Sequence, residues 1–243
     1  MIISLMRGQL DFQTAVAYIL AILVIVYLIL PFHEWAHAFT ALKLGDTSIK
    51  YRGRLTLNPL AHIDPFGALA MLLFGIGWAK PVPIDSRNFK KPKLYMGITA
   101  LMGPVANIVA AIVGGFIFYG IAKFTTGFYP IIHNNELISV NTFGTYVYLF
   151  LSFYVQVNIS LAVFNLLPIS PLDGSKILFI FLPDRTVRKF YQYEQYISIG
   201  LIALLWLGSM NIPIISYVWW PINFLSDRLL DFVSWLTKLP FGL

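Results

Sequence analysis

His33, Glu34 and His37 lie within five consecutive residues, His33-Glu34-Trp35-Ala36-His37. Residues four apart share one face of a helix, so the two imidazoles can grip a single metal ion. Glu34, beside them, can take a proton from water bound to that metal. The plain alternative is a pair of packing histidines with a solvated Glu. Three titratable groups in one turn at the end of an apolar run are costly unless paired or metal-bound, which argues for the metal. A catalytic zinc needs a third protein ligand and keeps one position open. Two carboxylates compete for that place. Asp173 sits in the segment Asn165–Gly174, where Pro168 and Pro171 break a helix and Gly174 allows a sharp turn. It is the better candidate of the two, and its plain alternative is to cap a helix over Gly174–Phe181. Asp64 follows His62 in a stretch with Asn58-Pro59 and Asp64-Pro65 turn signals, and turn formation explains both residues.

The elements that must carry these residues are apolar. The chain has 243 residues, 58% hydrophobic and only 12% charged, with a mean hydropathy of +0.74. That excludes an ordinary soluble domain, a disordered chain and a nucleic-acid binder, despite a net charge of +6. With no cysteine, disulfides, thiolate ligands and a Cys nucleophile are excluded. A membrane span needs about 20 mostly apolar residues. Four uncharged runs reach that length: Phe12–Phe32, Leu94–Ala122, Leu137–Leu172 and Gln195–Ser226. The predicted fold is therefore a mainly α, polytopic membrane protein with about four transmembrane helices. Pro65–Ala79 is too short to cross and reads as a re-entrant or interfacial segment. The first helix is predicted to run through His37 and end near Gly45. Ile49–Leu57 alternates with period two, which predicts a strand, and Ala79–Ile84, with its two prolines, predicts an edge strand. An edge of this kind could pair with an unwound substrate backbone.

Of the 17 Lys and Arg, thirteen fall in loops on one side of these spans and four on the other. The rich side is expected to be cytoplasmic, in a multi-pass cell-membrane protein with its N-terminus outside and its active site toward the cytoplasm. Pro221–Lys238 has apolar residues at helical spacing between charges and is predicted to lie on the outer surface as an amphipathic helix. The whole of 1–243 reads as one core domain. No stretch suggests a secretory leader, a PDZ module or a nucleotide-sensing domain.

Two sequence motifs resemble the signatures of the site-2 protease family of intramembrane zinc metalloproteases: His33-Glu34-Trp35-Ala36-His37, and Asn165 with Pro168 and Leu172-Asp173-Gly174. Gly103-Pro104-Val105-Ala106-Asn107 resembles a third family feature, and the likeness covers Tyr27–Phe181. The family often has Pro where this chain has Ser170. The resemblance implies one Zn2+ per chain held by His33, His37 and Asp173, with Glu34 as general base. It implies a small membrane-associated sheet near Ile49–Ile84. The substrate would be a transmembrane segment of another, membrane-tethered protein. Asn165 and Asn107 are candidates for contact with substrate backbone, or else polar glue between helices. The small residues Gly97, Ala100 and Gly103 suit close packing against the ligand-bearing helices. The other class to weigh is a zinc carrier or non-catalytic zinc-binding membrane protein, which has no need of Glu34. Partners are the bilayer and the substrate. A regulatory membrane protein or self-association is left open.

Overall fold

The computed structural model describes residues 16, 19–20, 22–74, 79–125, 131–133, 136–138, 142–208 and 213–242. Among them, three helices are long and apolar enough to cross a membrane: α1 (Ile22–Leu44), α4 (Pro92–Phe124) and α5 (Phe143–Asn165, within a helix that starts at Thr142). Two short helices, α2 (Pro59–His62) and α3 (Pro65–Phe74), follow α1. A two-stranded antiparallel pair, β1 (Ile131–His133) and β2 (Glu136–Ile138), precedes α5. After it come α6 (Asp173–Leu178), α7 (Asp184–Gly208) and α8 (Pro213–Lys238). Pro31 lacks the N–H that would close on the preceding turn, and that turn of α1, Ile25–Ile29, is π-helical. Gly45, at φ 122°, ends α1 as its C-cap.

Helix α4 is the hub. It packs on α1, α5, α6 and α8. Its buried face is small-residue-rich: Gly97, Ala100, Gly103, Ala106, Ala110, Ala111, Gly114 and Gly115. In lipid, helices gain no hydrophobic advantage from associating, so close backbone approach and dispersion decide which faces meet. Gly114 admits Tyr154 and Val155 of α5, and Gly115 admits Thr237 of α8. Ile25 and Ile29 of α1 pack with Ala110, while Ala111, Val155, Ile159, Val163 and Val233 form a second cluster joining α4, α5 and α8.

The described residues distribute the apolar runs among these elements. Those of Gln195–Ser226 fall in α7 and α8, with Pro213 the first residue of α8. Residues 209–212 lie outside the described set. Pro221–Lys238 is the distal part of α8 and docks on α4 and α5, with Val233 and Thr237 buried. The run Leu137–Leu172 begins in β2 and leaves its helix at Asn165. Pro65–Ala79 contains the ten-residue α3, and residues 75–78 lie outside the described set.

The predicted strand Ile49–Leu57 is instead a 3-10 helix, Thr47–Tyr51, followed by turns, with Gly53 at φ 65°. Asp46 is the cause. Its carboxylate accepts hydrogen bonds from the backbone N–H and the hydroxyl of Ser48, winding the chain into a capped turn. Ala79–Ile84 is not a strand either. It makes one bridge, Ala79 to Ile63, beside a 2.7 Å bond from Lys80 N–H to the His62 carbonyl. Pro81 and Pro83 then lack the donors a ladder needs.

Asp46 is fully buried. Burial opposes its ionisation, but the bonds from Ser48, Asp85 N–H and Asn88 outweigh it and hold its carboxyl below the usual carboxylate range. A lowered folded-state pKa stabilises above the unfolded value, about 4, and that stability is lost as pH falls through the folded value. Resistance of the 80–88 segment to proteolysis is therefore expected to hold at neutral pH and to decline below about pH 4. Unchanged resistance well below that value would refute the ionised knot.

Candidate metal centre

The last turns of α1 and the first residue of α6 meet over α4. His33 Nε2 and His37 Nε2 are 3.1 Å apart. Asp173 Oδ2 lies 3.4 Å from the first and 3.3 Å from the second. All three side chains are buried, and one ligand atom from each lies within 4.8 Å of the others. The His37 ring also makes a 2.7 Å bond from Nδ1 to the Thr99 carbonyl. A carbonyl only accepts, so Nδ1 carries the hydrogen and Nε2 presents its lone pair to the group. Lone pairs of nitrogen and a carboxylate oxygen converging at these distances repel unless a cation or protons lie between them. Two imidazole nitrogens and one carboxylate form a donor set that suits zinc and leaves a fourth position open.

The neighbours orient the set. Lys176 Nζ, 3.6 Å from Asp173 Oδ1, engages the carboxylate oxygen turned away from the histidines. Gly174 is needed for the turn, since a Cβ there would overlap the carbonyls of Leu166 and Leu167. Gly103 plays the same part on α4: a Cβ there would overlap the rings of both His33 and His37. Gly103→Ala should raise the intrinsic helix preference of α4 by about 1 kcal/mol. Here it is nonetheless expected to weaken zinc binding by about 10–100-fold, as loss of an orienting contact typically does. Competition against a graded chelator checks this, and wild-type affinity in the variant would refute it.

Glu34 is buried, and its Oε2 accepts a 3.0 Å hydrogen bond from Val82 N–H. Asp64 is elsewhere. Its Oδ1 accepts from Phe66 and Gly67 N–H, both at 2.9 Å, and so caps α3. His62 donates from Nε2 to the Thr56 carbonyl at 2.7 Å. The turn-forming account of this pair is therefore what the structure contains. Asn165 donates back to Leu161 of its own helix at 3.0 Å. Asn107 is fully buried one turn beyond Gly103, and neither of its amide atoms has a partner among the described residues. Sequence reasoning overlooked Thr99, Lys176, Val82 and Asp46. The Gly45-Asp46 and Pro81-Val82-Pro83 segments carried a signal for the last two, because a polar residue after a C-cap and an N–H isolated between prolines each have restricted uses.

Such a group of two imidazoles and a carboxylate, at the end of an apolar helix, defines a membrane protein with a metal-binding centre. The sequence profile of Peptidase family M50 matches residues 20–208. A Bacillus subtilis (strain 168) protein named "Putative zinc metalloprotease YwhC" is 38% identical over 213 residues, covering 86% of this chain and 90% of that protein. The Mycolicibacterium smegmatis protein named "Putative zinc metalloprotease Rip2" is 29% identical over 197 residues, 79% of this chain and 69% of its own. A Mycobacterium tuberculosis (strain H37Rv) protein of the same name is 26% identical over 193 residues, 77% and 67%. No solved structure matches the chain. The chain belongs to Peptidase family M50, the site-2 protease family. It is a zinc metalloprotease, and its metal is Zn2+.

Proposed function

We propose that this protease hydrolyses peptide bonds within transmembrane segments of membrane-tethered proteins, at the cytoplasmic side of the cell membrane. His33 Nε2, His37 Nε2 and Asp173 Oδ2 would hold the zinc, one ion per chain. Zinc held there supplies a Lewis acid for the scissile carbonyl and lowers the pKa of water. Glu34 accepts the proton of the attacking water as the carbon–oxygen bond forms. It then passes that proton to the leaving amine nitrogen as the carbon–nitrogen bond breaks. The observation that carries this reading is the convergence of two imidazole lone pairs and a carboxylate oxygen, with the Glu34 carboxylate on the same helix turn.

A helical substrate hides its carbonyls in hydrogen bonds, and each one freed in a bilayer costs several kcal/mol. The segment must therefore unwind at the protease, with Asn165 and Asn107 as candidate partners for the released backbone. The test is cleavage of a single-span polypeptide by the chain reconstituted in bilayers, with the new termini mapped by mass spectrometry. Cuts inside the apolar segment or at its cytoplasmic edge are expected. Cuts confined to soluble loops would overturn the reading. Orientation is separately accessible because the chain lacks cysteine. A single Cys at Arg87 is expected to react with impermeant reagents only from the cytoplasmic side.

A further inference from the structure

We propose that Asp46 is a positioning residue for Glu34, acting through the backbone of residues 80–88. The proposal rests on the reading of Glu34 as the general base. Asp46 belongs to the end of α1, where its own N–H bonds the Ala41 carbonyl at 2.9 Å. Its carboxylate reaches out to a segment about forty residues further along the chain. Oδ2 accepts Asp85 N–H at 2.8 Å, and Oδ1 accepts Asn88 Nδ2 at 2.7 Å. The other end of that segment is pinned by the Ala79–Ile63 bridge and the Lys80–His62 bond. Between the two anchors, Val82 packs against Ala38 and Ala41 of α1, with Ile49 and Phe89 around it. Its N–H is bonded to Glu34 Oε2.

This makes a strap lying along the helix that carries the base. Pro81 and Pro83 have no N–H and restrict the backbone on either side, so Val82 offers the sole donor of the three residues. A Glu side chain has several rotatable bonds, and a fixed amide on one oxygen selects one placement from many. Misplacing a catalytic group by about 1 Å can cost about 10²-fold. A fully buried carboxylate is itself expensive unless it is hydrogen-bonded. Asp46 spends its acceptors on Ser48 beside it and on the strap.

The experiment uses the full chain in bilayers and a single-span transmembrane polypeptide that the wild-type protein cleaves. Asp46→Ala is expected to lower kcat by about 10–10²-fold, with KM little changed and zinc content at the wild-type level. Amide exchange across 82–88 is expected to accelerate. Val82→Pro, which deletes the donor and leaves Asp46 intact, should reproduce the fall in kcat. Val82→Ala, which keeps the N–H, should retain at least about ten times the kcat of Val82→Pro. Wild-type kcat in Asp46→Ala overturns the proposal. So does loss of zinc in that variant, which would make Asp46 scaffolding for the ligands. Equal kcat in Val82→Pro and Val82→Ala overturns it as well. Glu34→Gln separates the two levels of the argument. An active Glu34→Gln removes the general base itself. An inactive Glu34→Gln beside fully active Asp46→Ala and Val82→Pro removes only the positioning.

Discussion

Glu34→Gln is expected to keep its zinc and lose about 10²–10⁴-fold in kcat. Gln preserves the length of the side chain and the acceptor that Val82 N–H uses, so neither the strap nor α1 should shift. It lacks the second carboxylate oxygen and cannot hold a proton between water and the leaving nitrogen. The metal ligands are untouched. The loss should therefore fall on kcat and on kcat/KM alike, the signature of an interaction made in the transition state. Measuring zinc stoichiometry alongside turnover makes the result interpretable. Near-normal turnover with full zinc occupancy would remove Glu34 from the chemistry.

The second large effect is on metal content. Asp173→Ala, His33→Ala and His37→Ala are each expected to purify with little or no zinc, because two protein ligands do not make a stable tetrahedral zinc site. Asp173→Ala also leaves Lys176 without its carboxylate partner beside the site. Asp64→Ala should retain zinc. Its expected deficit is a frayed start to α3, a cost of about 0.5–2 kcal/mol for a lost N-cap. Zinc retained in Asp173→Ala and lost in Asp64→Ala would reverse the assignment of the third ligand.

The contrast between these two aspartates marks how far the sequence could be read. The His33–His37 spacing is local, and local spacing on a helix fixes a shared face. The proline breaks before Asp173 and the Gly after it are local too. Whether that carboxylate or Asp64 joins the histidines depends on how α6 lies against α4, which no window of sequence contains. Asp46 shows the same limit more sharply. The alternation from Ile49 to Leu57 is genuine, yet its neighbour's carboxylate bonds Ser48 on one side and residues 85 and 88 on the other. A capped turn with long-range partners then outweighs a period-two pattern.

Helix α8 shows a choice of face that its own apolar spacing does not settle: Leu225 and Phe232 stay exposed while Val233 and Thr237 are buried. The signal for docking lay on the partner instead, in Gly115 of α4, which makes room for Thr237. Small residues were recognised in the sequence around Gly97–Gly103 as packing positions. That Gly103 faces the two histidine rings, and so ties helix packing to the metal centre, required the structure.

The most direct test of a zinc protease built on this centre is metal-dependent cleavage by the purified chain in a defined bilayer. The protein is stripped with a chelator, presented with a single-span transmembrane polypeptide, and then titrated with Zn2+. Cleavage is expected to be absent in the stripped protein and to return in proportion to zinc, saturating at one ion per chain. Recovery should fail in His33→Ala, His37→Ala and Asp173→Ala at the same zinc concentration. Full-rate cleavage by metal-free protein, or full recovery in those three variants, would contradict the account.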